Sequence, residues 1–209
     1  MAQSPNNQMP PLAIGVLALQ GDYEAHRTVL DELGAKTVLV RKPEQLAGLD
    51  GLVIPGGESS TFLKFLEREG FLAKLRDFVA SKPTFGTCAG AILLAKNVEN
   101  PAQESLGVLD IAIRRNAYGR QVDSTIIESE TNLGGAPLEM VFIRAPRITC
   151  IGNGVEVLAL RDKDPVLVRE KNILAATFHP ELSQDHRVHQ MFLDQVRKSK
   201  SSQAVPQTA

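Results

Sequence analysis

Cys88 stands in "GTCAG" (86–90), with Gly86 and Gly90 two residues to either side. The run "PTFGT" before it reads as a strand, and "AGAILLAK" after it reads as a helix. A tight strand-to-helix turn pushes the intervening side chain into the open. It also leaves the first backbone N–H groups of the helix facing outward, where they meet negative charge. The serine counterpart is the G-x-S-x-G nucleophile elbow, so the stretch fits a nucleophilic thiol. By itself it fits a small buried cysteine equally well. A thiol of ordinary acidity is only a few per cent thiolate at neutral pH, so a catalytic cysteine needs a base beside it.

Four histidines are available: His26, His179, His186 and His189. His179 closes the apolar run "NILAATF" and opens "HPEL", which puts it at a strand end like Cys88. Glu181 follows two residues later, and in extended chain residues i and i+2 point the same way. A carboxylate so placed holds an imidazole in one tautomer and stabilises imidazolium. "HPE" alone is also compatible with a polar surface turn. With "GTCAG" it supplies nucleophile, base and orienter in the order Cys, His, Glu. His26 reads as a partly exposed residue of an early helix. His186 and His189 form an H-x-x-H pair with no obvious third ligand, so no metal site is expected. Cys150, in "RITCIG", reads as core.

The elements that must carry these residues alternate. "LAIGVLALQ" (12–20), "KTVLVRKP" (36–43), "DGLVIPGG" (50–57) and "PTFGTC" (83–88) read as strands. Helical stretches lie between them at 22–34 and at 59–81, the latter broken at Gly70. Such alternation implies right-handed βαβ units and a parallel sheet with both faces covered. After residue 105 shorter strands with Gly, Asn and Asp turns take over, and "DHRVHQMFLDQVRKS" (185–199) closes the chain as an amphipathic helix. The expected fold is α/β: a mostly parallel, flavodoxin-like sheet flanked by helices, with extra antiparallel strands in the second half. One domain over 12–198 is expected, with disordered tails at 1–11 and 199–209.

Composition narrows the field. The chain has 209 residues, 24 acidic and 23 basic, for a net charge of -1. That balance offers no electrostatic footprint for nucleic acid or an anionic membrane. No apolar run approaches the roughly 20 residues of a membrane span. Two cysteines in this length do not make a disulfide scaffold, and a reduced, cytoplasmic protein is expected. "GGESST" (56–61) lacks the lysine of a phosphate-binding G-x-x-x-x-G-K-[ST] loop, which argues against nucleotide binding.

"GTCAG" followed far downstream by "HPE" resembles the class I, triad-type glutamine amidotransferases. "GVLALQG" (15–21), "LVIPGGESST" (52–61), "FGTCAGAILLAK" (85–96), "RRNAYGRQVDS" (114–124), "VFIRAPRI" (141–148) and "FHPELSQDHRVHQMF" (178–192) narrow the resemblance. Together they are similar to the glutaminase subunits of two-component pyridoxal 5'-phosphate synthases, over residues 12 to 197. "GGES", "RNAYGRQ" and "FIRAP" set that group apart from amidotransferases of other pathways. The resemblance implies hydrolysis of L-glutamine to L-glutamate and ammonia, passed to a (β/α)8 barrel synthase in a large hetero-oligomer. It implies activity that depends on docking, with no cofactor or metal in this chain. Cys88 matches the nucleophile, His179 the base and Glu181 its orienting acid. Gly57, Glu58, Ser59, Arg115, Ile143 and Arg144 match substrate-binding positions. The backbone N–H groups of Gly57 and Ala89 match the oxyanion hole, and Gln20 is expected to take part in activation.

Overall fold

The computed structural model describes residues 10–67, 70–115, 117 and 124–204. Most of "RNAYGRQ", and residues 1–9 and 205–209 of the expected tails, lie outside the described residues.

The first half builds β1 (Ala13–Leu17), α1 (Tyr23–Glu32), β2 (Lys36–Val40), β3 (Gly51–Ile54), α2 (Ser59–Leu66), α3 (Phe71–Ser81), β4 (Thr84–Thr87) and α4 (Ala89–Leu94). The second half adds β5 (Ala95–Glu99), β6 (Leu109–Arg114), β7 (Ser124–Ser129), β8 (Leu138–Ile143), β9 (Arg147–Ile151), β10 (Glu156–Arg161), β11 (Asp164–Glu170), β12 (Ile173–Ala176) and α5 (Arg187–Ala204). The main sheet has seven strands in the order β10-β11-β12-β4-β3-β1-β2. The five from β12 to β2 run parallel, and β11 and β10 join antiparallel. Two smaller sheets, β5-β6-β9 and β7-β8, stand apart from it. The fold is thus α/β with a mostly parallel main sheet and added antiparallel strands.

Strand periodicity divides the core between two faces. On β3, Leu52 and Ile54 pack with Phe62 of α2 and Leu75 of α3. Val53 points the other way, into a cluster with Leu30 of α1 and Phe192 and Val196 of α5. Both faces are therefore dry, which is why β3 and β12 are continuous apolar runs. Because β1, β3, β4 and β12 are parallel, their carboxyl ends meet at one edge.

Several boundaries differ from the sequence reading. "EMVFIRAPRI" forms two strands, since Arg144 takes φ 43° and turns the chain between β8 and β9. "AGAILLAK" is helical only to Leu94; Ala95 and Lys96 begin β5. The final helix runs to Ala204, so the tail expected at 199–209 is helical through residue 204. Among the described residues no helix is long and apolar enough to cross a membrane.

Candidate active site

Cys88 follows β4 directly and precedes α4. Its backbone sits at φ 48°, ψ -103°, a region that costs a non-glycine residue about 1–3 kcal/mol. The strain of this tight turn is therefore held by the cysteine itself. Its N–H donates to the Ala176 carbonyl at 2.8 Å, tying the turn to the neighbouring β12. The flanking glycines serve close approach. A Cβ on Gly86 would meet the Gly90 carbonyl group at 2.7 Å, and one on Gly90 would lie 2.0 Å from the Ile54 carbonyl oxygen.

His179 lies three residues beyond Ala176, the end of β12, and lines the same cleft as the thiol. Its Nδ1 lies 2.8 Å from Glu181 Oε1. The expected contact is present, but not through extended chain. Residues Pro180–Leu182 form a 3-10 turn, and this turn folds the carboxylate back beneath the imidazole. Burial opposes charge on His179, but the bonds to Cys88 and Glu181 outweigh it and lift its pKa to about 10. Burial likewise opposes charge on Glu181, yet the neighbouring His26 and His179 hold its pKa below the ordinary value.

Opposite the thiol, the end of β3 supplies Gly56, Gly57 and Glu58. A Cβ on Gly56 would sit 2.5 Å from His179 Cε1, so glycine lets the loop close over the imidazole. Gly57 has φ 139°, open only to glycine. Gln20, beyond β1, clamps this loop from outside. Its Nε2 donates to the Glu58 carbonyl at 2.5 Å, and the Glu58 N–H donates to its Oε1 at 3.2 Å.

A cleft of about 370 Å³ opens between these segments. Gly57, Glu58, Ser59, Cys88, Arg115, Ile143, Arg144 and His179 all line it, gathered from separate stretches of chain. Ala89 and Glu181 lie behind the wall, both buried. Arg115 donates to Glu58 Oε1 at 2.9 Å, placing a cation and an anion side by side on one wall. Ser59 Oγ donates to Gln103 Oε1 at 3.1 Å. A second hollow of about 540 Å³ along α5, lined by basic residues including Arg169 and Lys198, contains none of these groups.

The remaining candidates move. His26 is fully buried, not partly exposed. It falls in register with Val29, Leu30 and Leu33 on the apolar face of α1, a spacing that signals burial. It lies behind Glu181, a placement the sequence reading missed. Cys150 is exposed, not core, because a register shift between Ile148 and Cys150 puts the thiol on the face away from the buried Ile148. His189 is buried against His26, whereas His186 approaches Glu32 at 3.9 Å. Among the described residues no group of three or more His, Cys, Asp or Glu could hold a metal ion.

The chain matches the SNO glutamine amidotransferase family over residues 16–198. It is 65% identical to "Pyridoxal 5'-phosphate synthase subunit PdxT" of Koribacter versatilis, across 92% of this chain and all of that one. The protein of the same name from Thermotoga maritima is 51% identical across 89% of this chain and all of that one. A crystal structure of a glutamine amidotransferase matches with a TM-score of 0.83 at 47% identity, over 88% of this chain and 98% of that chain. A putative GMP synthase component from Thermoplasma acidophilum shares the fold, with a TM-score of 0.70 at 22% identity over 95% of this chain and 100% of that chain.

Proposed function

The chain belongs to the SNO glutamine amidotransferase family, and from that premise we propose that Cys88, His179 and Glu181 carry its chemistry. The protein is a glutaminase subunit of pyridoxal 5'-phosphate synthase: it hydrolyses L-glutamine and delivers the ammonia to vitamin B6 biosynthesis. The observation that supports the triad best is the strained cysteine facing His179, with Glu181 at 2.8 Å behind the ring.

The Cys88 sulfur attacks the side-chain amide carbon of glutamine, and charge moves onto the amide oxygen. The N–H groups of Gly57 and Ala89 receive that charge; Ala89 opens α4, so its N–H has no acceptor within the helix. Protonated His179 gives its proton to the amide nitrogen, the C–N bond breaks and ammonia leaves. Neutral His179 then takes a proton from water as the hydroxyl adds to the thioester. Collapse breaks the C–S bond, releases L-glutamate and restores the thiol. Glu58 suits the substrate's α-ammonium, and Arg115 and Arg144 suit its α-carboxylate. Ser59 and Ile143 complete that wall of the cleft.

The partner that takes the ammonia is read as a (β/α)8 barrel synthase in a large hetero-oligomer. Its docking activates the site through the loop that Gln20 clamps. The test is ammonia and glutamate release from L-glutamine, with and without a pyridoxal 5'-phosphate synthase barrel protein. Stimulation by the barrel that vanishes in Cys88→Ala is expected. Residual turnover in that variant would remove the triad assignment, and equal rates with and without the barrel would remove the docking.

A further inference from the structure

Glu181 uses only one oxygen to hold His179. The other, Oε2, is buried and has no partner in good hydrogen-bond geometry. The nearest group on that side is the imidazole of His26, whose Nε2 lies 3.3 Å away in ion-pair range. The same Nε2 is 3.0 Å from Thr87 Oγ1, the residue just before Cys88. On the far side of the ring, His26 Nδ1 is 2.9 Å from His189 Nε2. His189 Nδ1, also buried, has no partner. The phenyl ring of Phe85 meets both imidazoles edge-on, at 6.1 Å from His26 and 5.7 Å from His189, which fixes their planes.

These contacts decide where the protons sit. Burial depresses the pKa of His26 and that of His189, so each ring is neutral with a single N–H. Suppose His26 carried its proton on Nδ1 and gave it to His189. His189 would then have its own proton on Nδ1, buried with no acceptor. A bare imidazole lone pair on His26 would also face the Glu181 carboxylate. The opposite arrangement points an N–H, not a lone pair, at the carboxylate. His189 Nε2–H donates to His26 Nδ1, and His26 Nε2–H is shared between Thr87 Oγ1 and Glu181 Oε2. The cost is a Thr87 hydroxyl proton turned away from His26 and an unpaired lone pair on His189. Each arrangement leaves one buried donor unmet, so the carboxylate decides: at 3.3 Å it attracts an N–H and repels a lone pair.

We propose that His26 is a positioning residue of the glutaminase site: its Nε2–H, oriented by His189, holds the free oxygen of Glu181 and so fixes the carboxylate that orients His179. The carboxylate is clamped between two imidazoles, one reactive and one neutral. The proposal rests on the triad reading above. The titratable and charged groups facing His26 are Glu181 and His179 from the 3-10 turn, His189 from α5 and Asp22 ahead of α1; His186 acts on His189.

A donor on a carboxylate lowers its proton affinity. Without it Glu181 protonates at higher pH, and His179 loses its counter-charge there. The test compares His26→Leu, which removes the donor, with His26→Gln, whose side-chain amide can restore one near the ring Nε2. Alkylation of Cys88 by iodoacetamide is followed against pH in a Cys150→Ser background, so that the exposed thiol does not contribute. The acid limb of the His26→Leu profile is expected to move up by about one pH unit, and that of His26→Gln to return to the parent position. With the barrel partner, kcat for glutamine should fall about tenfold in His26→Leu with KM unchanged, and recover in His26→Gln. Nitrogen-15 spectra of the unsubstituted chain should report the Nε2–H tautomer for both His26 and His189.

An Nδ1–H tautomer at His26 would overturn the proposal, as would a folded His26→Leu protein with the parent alkylation profile and kcat. If His26→Leu does not fold, the tautomers and His26→Gln still decide. An active Cys88→Ala variant would instead defeat the underlying triad, a separate outcome.

Discussion

Glu181 is a carboxylate almost without water, and its worth to the site is its charge as much as its shape. Glu181→Gln keeps the volume and an oxygen for the His179 Nδ1–H, but removes the counter-charge that helps hold His179 protonated. Partner-stimulated hydrolysis should fall by roughly 10²–10⁴, the scale seen when an orienting carboxylate becomes an amide. The pKa of His179, now about 10, should drop toward its ordinary range in a nitrogen-15 titration. An unchanged His179 titration would mean that the thiol alone sustains the imidazolium. At this scale the sequence was most informative where chemistry imposes a local pattern. "GTCAG" is legible because a crowded turn demands glycine at both ends, and "HPE" because His179 and Glu181, which meet at 2.8 Å, are close in sequence. His26 was legible as a residue on the buried face of a helix, though not as a neighbour of Glu181. Its meeting with Glu181 is made by packing between opposite ends of the chain, which no local spacing records. Cys150 failed for another reason: alternation groups it with the buried Ile148, but a bulge between them pairs Ile148 with Ile113 and Cys150 with Ala112, on the other face.

The elements explain why residues from so many segments converge. β12 pairs with β4 so that Ala176 stands opposite Thr87, which sets His179 beside Cys88. β3 lies on the other side of β4 and delivers the Gly56–Glu58 loop to the same edge. The alternation of strands and helices made that edge foreseeable, since parallel strands place their carboxyl ends together. The break between β8 and β9 had one signal in the sequence, Pro146, which disfavours a continuous strand; the positive φ of Arg144 had none. Gln20 acts at this scale, by holding the loop through both its backbone N–H and its carbonyl. In Gln20→Ala the loop loses both bonds. The ratio of glutaminase rates with and without the barrel partner is expected to fall about tenfold, while the melting temperature shifts by only a few degrees. An unchanged ratio would take Gln20 out of the activation step.

Across the whole molecule, the site concentrates buried titratable groups whose pKa shifts oppose one another, and this shapes stability against pH. His26 and His189 are held neutral by burial, so their folded pKa values lie below the ordinary 6.5. As pH falls through about 6.5, the unfolded chain takes up protons that the folded chain refuses, and stability drops. Glu181, also depressed, adds to that loss once its unfolded form begins to protonate at lower pH. His179 works in the opposite direction. Its raised pKa contributes fully below about 6.5, and that contribution disappears as pH rises toward about 10. Stability should therefore decline on both sides of neutrality, with separable causes. His189→Gln isolates the acid side, since an amide N–H can still serve His26 but cannot titrate. Urea unfolding of this variant between about pH 5 and about pH 7 should show a shallower decline than the parent, by up to about 1.4 kcal/mol per pH unit. Equal slopes would mean that His189 titrates alike in folded and unfolded chains, and that its burial against Phe85 and His26 does not keep it neutral.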